Sequence, residues 1–150
     1  MMLRRSALIA CLCLLGVVPA QAETFDVKML TRGVHGAMVF EPEDITLAPG
    51  DTLRFLPSDR SHNAASIPSM LPAGAVAFKG KIDQETSVTF DVPGVYGIKC
   101  SPHFAMGMVM LVRVGAGSPA EITLPADLPE RARTRFEQII ERSGAAGSKG

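Results

Sequence analysis

An all-β sandwich carrying a helical C-terminal extension is the fold this sequence predicts, on three observations. Between Thr24 and Val114, short segments of alternating apolar and polar residues are punctuated by Pro-Gly turn signals, the pattern of half-buried strands. Fourteen Gly and eleven Pro supply more turns than a helical bundle can use. From Asp127 onward the period changes: Leu128, Ala132, Phe136, Ile139 and Ile140 recur at helical spacing, behind a capping Asp127 and a first-turn Pro129. With 47% hydrophobic and 20% charged residues, 150 residues bury one ordinary core, and a disordered chain is excluded.

The N-terminus stands apart from this domain. Arg4-Arg5 precede an apolar run from Ala7 to Val18 that closes on Pro19-Ala20-Gln21-Ala22, the layout of a signal peptide cleaved after Ala22. The run is shorter than the about 18 apolar residues of a membrane-spanning helix, so a soluble exported protein without a membrane anchor is expected. Leu8-Ile9-Ala10-Cys11 has the form of a lipoprotein cleavage box, but a cut there would leave an apolar run on the mature chain. The paired arginines lie in a poor context for twin-arginine export. Residues 1–22 are therefore expected to be removed, 23–116 to form the sandwich, and 117–150 to form a helical tail packed on the same domain.

Cleavage removes Cys11 and Cys13 and leaves Cys100 with no intramolecular disulfide partner. A lone thiol in an oxidising compartment is exposed to pairing or over-oxidation unless something occupies it. Loss of Arg4 and Arg5, with no acid, moves the formal charge from 0 to −2. That is no footprint of nucleic-acid binding.

Along the mature chain, Phe25, Val27 and Met29 alternate with Thr24, Asp26 and Lys28 as a first strand. Thr31 to Gly36 reads as a loop holding His35, and Ala37 to Phe40 as a short strand stopped by Pro42. A single loop histidine is ordinarily solvated, because metal sites need several donors together. Ile45-Thr46-Leu47 and Thr52 to Leu56 are expected as two strands joined by a turn at Pro49-Gly50-Asp51. His62-Asn63 follows just beyond a strand end, and residues 64–84 read as irregular with room for one helical turn. Glu85 to Phe90 and Val95 to Lys99, joined at Pro93-Gly94, read as a hairpin whose second strand ends on Cys100. Met108 to Val114 is a dense apolar strand. A short helix is expected over Ser118 to Leu124 and a longer one from Pro129 to Arg142, its apolar stripe packed against the sandwich, with Ser143 to Gly150 frayed.

The chemistry is concentrated between Lys99 and Met108, where the chain offers one thiolate, one imidazole and two thioethers. Donors of this softness select Cu(I), Zn or Fe–S clusters over Mg or Ca. With His62 from the earlier loop, the set becomes His62, Cys100, His103 and Met108. A trigonal His, His, Cys arrangement with a weak axial Met is a blue-copper electron-transfer site: sulfur ligands stabilise Cu(I), and imidazole suits both oxidation states. Cys-x-x-His alone is a weak signal. Cys100-x-x-His103-x-x-x-x-Met108 closing a turn between two strands, with His62-Asn63 upstream, is a strong one.

On these motifs the chain resembles the pseudoazurin branch of the cupredoxin family, from about Thr24 through the C-terminal helix. Gly36-Ala37-Met38-Val39-Phe40-Glu41-Pro42 and the two-helix tail carry the resemblance along with the ligand motifs. It implies a cupredoxin-like Greek-key β-sandwich and one type 1 copper, cycling between Cu(II) and Cu(I), on His62, Cys100, His103 and Met108. Met106 is the competing thioether, and the resemblance assigns it to the surface around the site. It further implies that the Asn63 backbone N–H donates to the Cys100 sulfur while the Asn63 side chain ties the ligand loops, and that Met38 packs near the exposed imidazole. His103 would be the solvent-edge ligand, ringed by Ala37, Pro102, Ala105 and Met106 as an apolar docking patch. Lys28, Arg32, Lys79, Lys81 and Lys99 would surround that patch.

By the same resemblance the protein is a monomeric periplasmic electron carrier and not an enzyme. Its expected redox partners are copper nitrite reductase, nitrous-oxide reductase and c-type cytochromes. A non-redox copper-delivery protein is the alternative, although delivery favours exposed, exchangeable ligands and this set lies between strands. A thiol enzyme using Cys100 and His103 as nucleophile and base lacks a visible orienting group and oxyanion motif.

Overall fold

The computed structural model describes residues 21–116 and 122–147. The expected signal peptide lies outside these residues apart from Gln21 and Ala22; the expected short helix lies mostly outside them, and its described residues, Ile122 to Leu124, are irregular. Eight strands run in the order β1 (Thr24–Gly33), β2 (Gly36–Glu41), β3 (Asp44–Leu47), β4 (Asp51–Leu56), β5 (Ala65–Ser66), β6 (Thr86–Phe90), β7 (Gly94–Lys99) and β8 (Val109–Val114). They form two four-stranded sheets, ordered β2-β1-β4-β6 and β3-β8-β7-β5. One turn of 3-10 helix spans Pro68–Met70, two turns kinked at His103 span Ser101–Met106, and one α-helix, α1 (Glu130–Gly147), follows the sheets.

Two connections differ from the sequence expectation. β3 and β4 are not paired with each other: β3 lies parallel to β8, while β4 lies between β1 and β6. Nor do β6 and β7 form a hairpin, since they belong to opposite sheets. Both turns are arches that carry the chain across the sandwich. In the first, the Asp51 carboxylate accepts the N–H groups of Ala48 at 2.8 Å and Glu23 at 2.9 Å, and Gly50 N–H donates to Phe90 O at 2.9 Å. These bonds fix the arch to the first sheet. In the second, Pro93 has no N–H for a hairpin ladder, and the Tyr96 hydroxyl donates to Val92 O at 2.6 Å across the bend. Alternation reports which face of a strand is buried and is silent on its neighbour.

The inner faces meet in one core. Val27, Met29, Leu53 and Phe55 of the first sheet pack against Ile98, Met110 and Val112 of the second, with Cys100 and Met108 in the same cluster. All six residues of β8 are buried, because the outer face of its sheet is covered as well. There Val109 and Leu111 meet Leu128, Ala132, Phe136 and Ile139, so the helical stripe packs on the sandwich as its spacing predicts. Polar contacts fasten the far half of α1. Arg142 pairs with Glu43 at 2.7 Å, and Ser143 Oγ donates to Asp44, which also receives Arg113 at 2.8 Å.

Candidate metal centre

Two limbs bring donor atoms together at one end of the sandwich. The first leaves β4 at Leu56 and crosses to β5, with His62 on the crossover. Ser61 N–H donates to Asp83 Oδ1 at 2.5 Å, and Asp83 N–H donates to His62 O at 2.9 Å. Three non-glycine residues among those described have left-handed backbones, Met38 (φ 53°), Ser61 (φ 71°) and Asp83 (φ 60°), and the last two hold this limb. Such conformations cost of order 1–3 kcal/mol each and persist only where surrounding contacts over-determine them.

The second limb is the turn from β7 to β8. Cys100 follows the last residue of β7, and Pro102 opens the 3-10 segment that carries His103. Gly107, at φ 89°, ends the segment; a Cβ there would lie 2.9 Å from Arg131 O, so only glycine lets α1 approach. The turn closes on itself through Cys100 N–H to Met108 O at 3.0 Å and Met108 N–H to His103 O at 3.2 Å. Asn63, almost wholly buried, joins the limbs. Its Nδ2 donates to Gly80 O at 2.9 Å and to Ser101 Oγ at 3.1 Å, and its Oδ1 accepts Ser101 N–H at 2.7 Å.

Cys100 Sγ lies 3.7 Å from His62 Nδ1 and 3.5 Å from His103 Nδ1, and the two imidazole nitrogens are 3.1 Å apart. Bonds of about 2.0 Å to nitrogen and 2.3 Å to sulfur, at angles between tetrahedral and trigonal, separate donors by about 3.3–3.8 Å. The triangle matches that spacing to a few tenths of an ångström. These residues fit a single thiophilic cation. Met108 is wholly buried in the core that contains Cys100, whereas Met106 is 46% exposed.

Burial holds the pKa of His62 below its ordinary value, the neighbouring His103 adds to that, and Asp59 and Asp83 oppose it. A neutral imidazole is the form that offers a lone pair. Its other nitrogen, Nε2, lies 3.1 Å from Thr31 Oγ1. Burial pushes the Cys100 thiol up, while backbone N–H groups of Asn63 and His103 pull it back. Those donors stabilise the thiolate that a metal requires.

His103 is partly exposed, and Ala37, Pro102, Ala105 and Met106 are exposed. Two residues escaped the sequence reading. Ile82, 52% exposed, shares a surface depression with Pro102, Lys79 and Lys81, and an isolated Ile in an irregular stretch gives no periodic signal. Thr31 reads as a loop residue, and nothing in its spacing points to His62. His35 stands apart, its side chain 43% exposed and 3.7 Å from Glu43.

A family model described as copper binding proteins of the plastocyanin/azurin family matches residues 27–115, and the chain belongs to that family. It is a cupredoxin with one type 1 copper as its cofactor, an electron-transfer protein rather than an enzyme. Within the family its similarity is to pseudoazurins. It is 46% identical over 120 residues to the pseudoazurin of Paracoccus pantotrophus, covering 79% of this chain and 83% of that one. Over 98 residues it is 51% identical to the pseudoazurin of Methylorubrum extorquens, covering 65% and 66%. The crystal structure of native pseudoazurin from Hyphomicrobium denitrificans aligns at a TM-score of 0.70 and 33% identity, over 79% of this chain and 97% of that one. Among the described residues, no helix is long and apolar enough to cross a membrane.

Proposed function

We propose that His62, Cys100, His103 and Met108 hold the copper, and that the protein carries single electrons through the periplasm to a denitrification reductase. The observation that supports this best is the triangle of donor atoms at 3.1–3.7 Å, held by hydrogen bonds that need no metal. When bound, copper supplies a one-electron couple between Cu(II) and Cu(I). The chain's own part is to hold the thiolate and both imidazoles so that little moves when charge changes. The buried thioether of Met108 would be the fourth donor, and His103 would be the edge through which electrons pass to a partner. Ala37, Pro102, Ala105 and Met106 make the apolar contact, and the lysines around them steer an acidic partner.

Similarity to pseudoazurins supports copper nitrite reductase or nitrous-oxide reductase as acceptor, c-type cytochromes as further redox partners, a monomeric state, and export by the signal at residues 1–22. Visible and EPR spectra of the copper-loaded protein test the centre: strong thiolate-to-copper absorption that disappears on reduction is expected, and its absence overturns the reading. In Met108→Gln, copper should stay bound with a shifted spectrum and potential; an unchanged spectrum would assign the axial role to Met106. Stopped-flow mixing with each reductase identifies the acceptor, and failure to reduce either one overturns that assignment.

A further inference from the structure

We propose that Thr31 is a positioning residue for the metal centre: its hydroxyl accepts the Nε2–H of His62 and so presents the Nδ1 lone pair to the ion. The inference rests on the reading of His62 as a ligand. A neutral imidazole carries one N–H, and the partner of the nitrogen that faces away from the metal decides where it sits. In His62 the two nitrogens have different neighbours. Nε2 faces Thr31 Oγ1 at 3.1 Å, and Nδ1 faces His103 Nδ1 at 3.1 Å and Cys100 Sγ at 3.7 Å.

Thr31 is itself held in place by the limb it serves. The β1–β4 ladder ends where Lys28 pairs with Leu56, so Thr31 lies beyond its last rung. There Asp59 Oδ2 takes the Thr31 N–H at 2.7 Å, and Asp59 N–H donates to Met29 O at 3.1 Å. Backbone and hydroxyl of one residue thus both grip the segment that carries His62. Thr31 is exposed whereas His62 is fully buried, so the threonine side chain stands between the Nε2–H and solvent. Valine has the same shape without the acceptor, and in its place the buried N–H has neither partner nor water.

The test compares Thr31→Val and Thr31→Ser in the full protein. Titration with Cu(II) against a competing chelator should show affinity 10–100-fold weaker in Thr31→Val, about the loss expected when the outer partner of a ligating histidine is removed. Thr31→Ser, which keeps the hydroxyl, should stay within about threefold of the parent. Equal affinity in Thr31→Val, or an equal loss in both variants, overturns the inference. Ring ¹⁵N shifts of His62 in the metal-free parent give a second readout: a proton on Nε2 supports the assignment, and a proton on Nδ1 overturns it. A parent protein that takes up no Cu(II) overturns the copper reading instead, and the ¹⁵N shifts still decide for Thr31.

Discussion

Asn63 makes three hydrogen bonds to two other segments with one side chain, and its replacement leaves Ser101 N–H and Gly80 O with no partner from that side. Both residues are partly buried, and groups stranded in this way cost up to about 1–3 kcal/mol each. Asn63→Ala should therefore lose about 2–4 kcal/mol of metal-free stability in chemical denaturation. Tyr96 serves the second arch in a similar way. Burial, helped by the charge of Asp91, raises its pKa above the ordinary 10.0. The folded state then holds the proton more tightly than the unfolded chain. That stability is complete below the unfolded value and is lost as pH rises through the folded one. Tyr96→Phe should be about 1 kcal/mol less stable at neutral pH, with a flatter decline above pH 10, measurable by denaturant titration across pH. At this scale the cluster of His62, Cys100 and His103 was readable because two of its members and Met108 crowd one turn. Thr31 was not: a hydroxyl partner 31 residues from His62 leaves no mark in spacing.

Among the elements, β8 is the clearest case of sequence and packing agreeing. Its run Val109-Met110-Leu111-Val112 lacks the alternation of a strand with one wet face because both of its faces are dry, one toward the sandwich and one toward α1. Phe136, at 0% exposure, is the largest side chain α1 contributes to the second face. Phe136→Ala should cost about 3–5 kcal/mol in thermal or chemical unfolding, while a copper-loaded sample keeps its visible spectrum. Strand positions were legible where burial alternates, as in β1 and β4, and where turn signals bound an apolar run, as at β8. Sheet partners were not: an arch and a hairpin turn share Pro and Gly, and only long-range contacts such as Gly50 to Phe90 and Asp51 to Glu23 distinguish them.

For the molecule as a whole, the distribution of charge matters more than its sum. Lys79, Lys81 and Lys99 border depressions beside Ser101 and Pro102, at the end that holds the metal centre. Charge reversal at Lys81 and Lys99 together should slow electron transfer to an acidic partner about tenfold at low ionic strength, with the difference shrinking as salt is raised. Stopped-flow rates over a salt series check this, and rates that do not change remove the steering role. The two-layer architecture and its helical cover were legible from period alone, since 2 and 3.6 are imposed by backbone geometry. The route by which the chain passes between layers was not. That route has one more consequence. His62 sits where the chain quits the first sheet, and Cys100 and His103 sit at the tip of the second. An ion shared among them is a cross-tie between the layers, so its colour depends on their staying together. Bleaching and the parting of the sheets become one event, observed by two instruments.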